Sequence, residues 1–439
     1  MLEPLYTADE MRTAEAGHDV GALMELAGAA VARHALRAFP DARRFSVVCG
    51  GGANGGDARI AARVLREAGR DAVEDLDERA DVIVDGLFGT GFHGPPRVEA
   101  ADLIERMNAA AAPVVSVDLP SGVDASTGEV AGPAVDAALT VAFHGRKVGH
   151  VVAPGRFQAG EVVVEDIGLA AAETRNCRAT RELLKLVPRR GERDTKYSAG
   201  AVLVVGGSPG LTGAVCLAAE AAFRADAGYV TICAPRESLP VIEARVLEAV
   251  KRPLEEVREA AERAGAVALG PGLGRASEAL ELVRSLLAEL ELPVVVDADA
   301  LFELEPDAWP GPRVLTPHAG ELGRLLGKAS GWVDEHRLAA AGLAAERYGA
   351  VVLLKGADTI IAAPGKGVIV SDHGPPSLAT AGTGDVLTGV VAAFLAKGME
   401  PRLAAAAAAV AHGAAATAAP SQAGLVASDV VAALPYALG

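Results

Sequence analysis

The sequence predicts two α/β domains in tandem, each built on a doubly wound, largely parallel sheet. Three observations predict it. The 439 residues suggest two or three domains at roughly 150 residues each. Short runs that are apolar throughout alternate with longer helical stretches along the whole chain, and each half carries its own glycine-rich turns at strand ends. A strand apolar on both faces belongs to a sheet covered on both faces, which is the habit of parallel sheets.

In the first half, FSVVC (45–49) is a strand that runs into GGGANGGD (50–57), and a helix is expected over 58–68. DVIVD (81–85), PVVSVD (113–118), 139–143 and 162–164 read as further strands, with a helix over 99–109. The stretch 170–193 is polar and rich in Arg and Glu. It reads as a linker, so the expected domains are residues 1–190 and 191–439. The second series of strands is 201–205, 229–233, 266–269, 293–297, 313–315, 351–354, 359–362 and 368–370, with Ala-rich helices over 214–225 and 386–397 among those between them.

Composition narrows the function. With 51% hydrophobic and 22% charged residues the chain can bury a sizeable core, which argues against disorder. A net charge of −16 excludes sequence-independent nucleic-acid binding, which needs a basic footprint. It leaves anionic small ligands open, because backbone amides at a helix N-terminus bind phosphate unaided. No membrane span or signal peptide is read: residues 1–10 include Glu3, Asp9 and Glu10, and the apolar tract from 403 is mostly Ala, interrupted by His412 and Gly413. Cys49, Cys177, Cys216 and Cys233 show no C-x-x-C spacing. They are expected to be reduced, with a cytoplasmic location as the consequence.

Three strand ends of the first half carry unusual chemistry. Residues 50–57 place five glycines and Asn54 between a strand and a helix, so backbone N–H groups can close on a phosphate or ribose. Gly50, Gly52 and Gly55 satisfy G-x-G-x-x-G, with Asp71 and Asp75 further on, which keeps a dinucleotide dehydrogenase open. The second and third ends are Asp85 before a Gly-rich turn, and Asp118-Leu119-Pro120-Ser121. Asp85, Asp118, Asn54 and Ser121 together would offer hard oxygens to an alkali or alkaline-earth cation.

The set N-G-G-D (54–57), D-G-L-F-G-T-G (85–91), V-D-L-P-S-G-V-D (117–124) and G-R-K-V-G…P-G…A-G-E-V…D-I-G (145–168) resembles the NAD(P)H-hydrate epimerases. The resemblance implies a Rossmann-like three-layer αβα domain that interconverts the R and S epimers of hydrated NADH and NADPH (NADHX and NADPHX). It implies contacts to that substrate from Ala53, Asn54, Gly55, Gly56 and Asp57, from Gly89, Thr90, Gly91, Phe92, His93, Gly94 and Pro95, and from Asp118. It also implies a potassium ion held by Asn54, Asp85 and Ser121. Inverting a carbon that bears a hydroxyl beside a ring nitrogen needs proton transfer and passes through a cation, so Asp118 is the expected catalytic group, with Lys147 as helper. The sequence departs from the family at Ala53, usually Asn, and at Ala58, usually Gly.

In the second half ATAGTGDVL (379–387) opens a helix. Gly-x-Gly amides at a helix N-terminus form an anion hole for a transferring phosphoryl group, and Asp385 stands where an acceptor hydroxyl must lose its proton. There is no P-loop motif. This G-T-G-D resembles the ribokinase-like vitamin and sugar kinases. T-K-Y-S-A-G-A-V-L-V-V-G-G-S…T-G-A (195–214), G-P-G-L-G (270–274), V-D-A-D-A-L…T-P-H-A-G-E (296–321) and K-G-A-D-T-I-I (355–361) narrow the resemblance to the ADP- or ATP-dependent NAD(P)H-hydrate dehydratases.

That resemblance implies a ribokinase-like αβα domain in which Ala214, Gly272, Gly274, His318 and Asp385 contact the hydrate. Lys355, Gly356, Ala357, Asp358, Thr359 and Gly384 would contact the nucleotide, ADP by analogy with fused members, together with Mg²⁺. Asp385 would deprotonate the substrate hydroxyl, which attacks the terminal phosphoryl group; the resulting phosphate then leaves. The whole chain reads as a two-domain cofactor-repair enzyme and as a homo-oligomer. Its rivals are a ribokinase-like small-molecule kinase that leaves a stable phosphorylated product, a dehydrogenase, and a non-catalytic first half.

Overall fold

The structure, a computed structural model, describes residues 1–439 and divides into two compact units. One holds Pro4–Cys177 with Asp334–His336; the other holds Met1–Glu3, Arg178–Val333 and Arg337–Gly439. After β1 (Leu2–Leu5) the first unit runs α1 (Ala8–Glu15), α2 (Val20–Ala38), β2 (Arg44–Cys49), α3 (Ala53–Glu67), β3 (Asp71–Val73), β4 (Val82–Gly86), α4 (Val98–Ala109), β5 (Val114–Val117), β6 (Leu139–Phe143) and β7 (Glu161–Glu165). Its sheet has the order β3-β2-β4-β5-β6-β7, and every pairing is parallel.

Strand periodicity sorts this core into two faces. Val47, Val84 and Val115 pack with Ala58, Ala61, Ala62 and Leu65 of α3 and with α2. The alternate residues Val48, Ile83 and Val114 pack with Ile104 and Met107 of α4. The helix expected over 58–68 begins five residues earlier, at Ala53, so the last five residues of the glycine-rich turn are its first turn and a half. Gly52 caps it with no side-chain bond, which leaves its first N–H groups available.

The second unit continues with β8 (Asn176–Ala179), β9 (Ala201–Val205), α5 (Thr212–Arg224), β10 (Tyr229–Ala234), α6 (Leu239–Arg245), β11 (Val250–Pro253), α7 (Val257–Ala261), β12 (Ala266–Leu269) and α8 (Ser277–Glu289). Then follow β13 (Val294–Val296), β14 (Arg313–Leu315), α9 (Ala319–Leu326), α10 (Ser330–Glu335), α11 (Arg337–Tyr348), β15 (Val351–Leu354), β16 (Thr359–Ala362), β17 (Ile369–Ser371), α12 (Thr383–Ala396), α13 (Pro401–Ala418) and α14 (Ala427–Leu438). The sheet order is β1-β8-β17-β16-β15-β14-β13-β12-β9-β10-β11. It is parallel from β11 to β15, but β15–β16 and β16–β17 are antiparallel. The connections at 355–358 and 363–368 are far shorter than the dozen or so residues that a parallel crossover needs.

The stretch 170–193 is more than a linker: it contains β8 and a 3₁₀ turn, Arg181–Leu186, whose Leu183 and Leu184 are buried with Val187 in the second unit's core. The polar residues around these three leucine and valine side chains hid them from a compositional reading. The Ala-rich α13 is buried within its own unit from Ala404 to Ala416, against α12, α14 and the sheet. It therefore presents no apolar face to a second subunit.

Near the β15–β16 turn Asp358 is fully buried, and Arg337 Nε lies 2.9 Å from its Oδ1 while Arg337 Nη2 donates to the Asp358 carbonyl at 2.7 Å. Replacing Arg337 by Met strands a buried carboxylate. It is expected to cost about 3–5 kcal/mol, read as a lower denaturant midpoint for the second unit, with part of the loss recovered in an Arg337→Met, Asp358→Leu double variant.

Candidate functional site

In both units the predicted residues gather beyond the carboxyl ends of parallel strands, where open α/β sheets bind ligands. In the first unit, Asn54 on the first turn of α3 is buried and its Nδ2 donates to the Val117 carbonyl at 2.6 Å. Asp85, at the end of β4, is fully buried and accepts four hydrogen bonds: from Ser121 Oγ (2.6 Å), Ser121 N (2.9 Å), Ser116 Oγ (2.9 Å) and Leu87 N (3.2 Å). Ser121 Oγ in turn accepts from Phe88 N at 2.8 Å. No Lys, Arg or His pairs with Asp85, and burial pushes its carboxyl above the usual range despite these donors.

A cavity of about 530 Å³ opens beside them, lined by Gly51, Gly52, Ala53, Asn54 and residues 87–93. Ala53, Asn54, Gly89, Thr90, Gly91, Phe92 and His93 thus line one space, as expected together. Gly55, Gly56, Asp57, Gly94, Pro95 and Asp118 are not among its walls. The stacked rings of Phe88 and Phe92, 4.6 Å apart, form part of the wall; Leu87 and Phe88 were missed because an apolar pair after a strand reads as core. The Ala58 departure is absorbed by Gly86, where a Cβ would stand 2.4 Å from the Ala58 methyl carbon.

Asp118 sits just past β5 with φ +61°, a left-handed backbone that Asp tolerates better than most residues. Its Oδ1 accepts from Phe143 N at 2.9 Å and from the ammonium of Lys147, which is fully buried and also donates to the Phe143 carbonyl at 2.8 Å. His150 Nδ1 accepts from Lys147 N (2.9 Å), so the ring proton lies on Nε2, which donates to the Asp118 carbonyl at 2.7 Å. Burial holds His150 down to about 3, so the ring is neutral. Lys147 is therefore the direct ionic partner of Asp118, and His150 fixes its backbone. Nothing in the residue pattern around His150 signals that role.

In the second unit, Asp385 lies in the first turn of α12, behind Gly382 at φ +87°. Burial pushes its carboxyl up to about 7, reinforced by the charges of Asp297, Asp299 and Glu321 and opposed by Lys355. Lys355, just past β15, donates from Nζ to Asp297 Oδ1 at 2.9 Å and lies 3.8 Å from Glu321 Oε2. The same ammonium stands 3.5 Å from where a Cβ on Gly384 would be. Asp297 is buried, which alone would raise it, but the Lys355 charge and hydrogen bonds from Thr388 (Oγ1 to Oδ2, 2.6 Å), Lys355 and Thr316 hold it below the usual range.

His318 caps α9: its Nδ1 accepts from Gly320 N (3.0 Å) and Glu321 N (3.4 Å), while Glu321 accepts from His318 N at 2.8 Å. The ring is otherwise exposed. Gly274 N donates to Asp299 at 2.9 Å, and Ala214, in the first turn of α5, approaches Gly272. Gly356 and Ala357 are exposed and Thr359 begins β16, whereas the Asp358 carboxylate is committed to Arg337. The motifs V-D-A-D-A-L and T-P-H-A-G-E contained Asp297, Asp299 and Glu321, yet only His318 was singled out from them. Acidic residues inside an apolar or capping pattern look structural until the fold brings Asp297 and Glu321 to one lysine and Asp299 to Arg275 and Gly274 N.

The second unit has the layered sheet and anion-hole helix of the ribokinase-like class, and the first is a Rossmann-like unit with a hard-oxygen cluster at its strand ends. Comparison with known proteins agrees. Residues 202–435 match the NAD(P)H-hydrate dehydratase family, and 20–75 and 70–149 match the YjeF-related protein N-terminus. A ribokinase-like superfamily protein from Enterococcus faecalis covers 61% of the chain, and is itself covered to 97%, with a TM-score of 0.54 and 25% identity. A crystal structure of the ADP/ATP-dependent NAD(P)H-hydrate dehydratase from Bacillus subtilis, co-crystallised with ATP and Mg²⁺, covers 59% of the chain and is covered to 96%, with a TM-score of 0.55 and 30% identity. The bifunctional NAD(P)H-hydrate repair enzyme Nnr of Moorella thermoacetica is 38% identical over 95% of this chain and 92% of its own length. The chain belongs to the family of bifunctional NAD(P)H-hydrate repair enzymes.

Lys355→Met leaves Asp297 buried without its cation and is expected to destabilise the second unit by about 3–5 kcal/mol. Adding Asp297→Asn removes the stranded charge, so the double variant should unfold at a higher denaturant concentration than Lys355→Met alone.

Proposed function

We propose that this chain restores hydrated nicotinamide cofactors in two coupled steps, the first unit interconverting the R and S hydrates and the second dehydrating the S form at the expense of a nucleotide. The observation that carries the reading is Asp385, a carboxylate tuned close to neutrality at the mouth of the Gly382–Gly384 turn, with Lys355 beside it. A base poised near the working pH is half ionised and still basic enough to take a hydroxyl proton.

In this reading Asp385 takes the proton of the hydrate's hydroxyl as that oxygen bonds to the terminal phosphorus and the nucleotide's bridging P–O bond breaks. With ADP as donor, AMP departs. The C–O bond then breaks as phosphate leaves, the adjacent carbon gives up a proton, and the ring double bond returns. The amides of Thr383 and Gly384 at the helix start and the Lys355 ammonium hold the phosphoryl oxygens. His318 and the Gly272–Gly274 turn orient the hydrate.

Residues suited to Mg²⁺ fit an ion that arrives on the nucleotide. No group of three His, Cys, Asp or Glu forms a cage, while Mg²⁺ commonly takes one or two carboxylates plus phosphates; Asp297 and Glu321 are the acids at hand. Its contribution when bound is to neutralise phosphoryl charge. In the first unit Asn54, Asp85 and Ser121 fit a potassium ion: Asp85 is a buried carboxylate with no cationic partner, and hard oxygens suit such an ion. Cytoplasmic placement is part of the proposal and is supported by Cys49, Cys216 and Cys233, which form no disulfide; no helix is long and apolar enough to cross a membrane.

Three outcomes test the reading. The nucleotide-dependent rate should rise about tenfold per pH unit below about 7, where Asp385 is protonated, and level off above it. Asp385→Asn should lower kcat by about 10²–10⁴-fold while nucleotide binding by calorimetry persists; an active variant removes Asp385 as base, and accumulation of a stable phosphorylated product points to a kinase. Asp118→Asn, chosen because Asn accepts the left-handed backbone, should strand the R epimer while the S epimer is consumed at the original rate, as followed by epimer-resolved chromatography.

A further inference from the structure

Asp57 is the buried acid that neither the ion pair nor the hard-oxygen cluster uses. It is 6% exposed, and its Oδ1 has no hydrogen-bond partner. Most buried polar atoms are paired, so an orphaned one near the start of the helix that follows β2 calls for a ligand or a task. The helix turn that carries it is pressed inward by α2, where a Cβ on Gly28 would stand 2.5 Å from the Asp57 carbonyl oxygen.

The charged groups that face Asp57 are Asp118, from the loop after β5, and Glu15, from α1. Lys147 is spent on Asp118, Glu25 of α2 is paired with Arg63, and Asp85 of β4 is held by Ser116 and Ser121. Asp57 therefore has two acids for neighbours and no cation. Burial first, then Asp118 and Glu15, push it up to about 8, so it carries a proton at neutral pH. Asp118, by contrast, has the Lys147 ammonium and Phe143 N bound to its Oδ1. Two carboxyl groups in adjoining but opposite environments have the arrangement of an acid and a base.

We propose that Asp57 is the general acid of the epimerisation, working with Asp118 as the base. This rests on the epimerase reading of the first unit. Asp57 gives its proton to the hydroxyl of the hydrate; the C–O bond breaks, water departs, and the ring nitrogen's lone pair forms the C=N⁺ bond. Water then adds to the opposite face and loses a proton to Asp118. One proton leaves Asp57 and one arrives at Asp118, and exchange with solvent past the exposed Glu15 resets both. The bond order, charge and water count are unchanged over the cycle, and no co-reactant is consumed.

The test uses the full-length protein without nucleotide, following interconversion of purified R and S NADHX in H₂¹⁸O above the uncatalysed background. For the wild type, each inversion should place one solvent oxygen on the inverted carbon, and the rate should fall about tenfold per pH unit above about 8. Asp57→Asn should lower kcat about 10²–10⁴-fold, with KM within threefold and the alkaline fall abolished, while nucleotide-dependent dehydration of the S epimer continues. A wild type that epimerises without that fall or without ¹⁸O overturns the assignment even if the variant misfolds. So does an Asp57→Asn protein that loses only KM. A wild type that interconverts nothing overturns the epimerase reading itself, and the assignment with it.

Discussion

Around the Lys355 ammonium, Asp297, Glu321 and Asp385 come from three different connections of the second sheet, after β13, after β14 and at the start of α12. Like charges so close in a partly dry site repel strongly, and only a shared cation lets most of them ionise together. Lys355 is pulled to Asp297, so Asp297 stays charged and Asp385 is left as the group that titrates near neutrality. The buried pair thus sets the protonation of its neighbour and also ties the ends of β13 and β15 across the intervening β14. Thr388, one turn along α12, ties the helix to the same carboxylate. The anion-hole helix and the sheet are thereby registered to each other through a single side chain.

The first unit uses the same ingredients with a different outcome. Lys147 is likewise buried against an aspartate at a strand end, and it is anchored further by the Phe143 carbonyl. Here the aspartate at the lysine is Asp118, and the acid left without a cation is Asp57. In each unit, then, a lysine is committed to one of two nearby carboxyl groups, and burial raises the other.

Legibility followed the physics of each feature. Most strands were readable from their apolar runs, because a parallel strand buried on both faces has no polar alternation to confuse it, whereas β1, β3, β8 and β11, which carry polar or charged residues, were not. The antiparallel turn at β15–β17 was less so, since a run such as TIIA looks alike in either direction. Helix α3 was expected too late because glycines read as loop, although Ala53 to Asp57 are helical. The motif residues Asn54, Asp85, Ser121 and Asp385 were legible because polar groups between apolar runs and glycines have few structural reasons to be there. Lys355 was read as a nucleotide contact, and its ties to Asp297 and Glu321 emerged only from the fold. His150, Arg337 and Thr388 act across 32, 21 and 91 residues of sequence, and no local pattern reports such partners.

The positive φ of Asp118 reaches beyond chemistry. A left-handed backbone admits Gly and Asn at little cost and penalises β-branched side chains most. Evolutionary drift at this position is consequently confined by conformation before selection on turnover acts. A saturation library would lose valine and isoleucine for reasons of shape alone, whereas glycine and asparagine would keep the backbone but take the carboxylate from the buried Lys147.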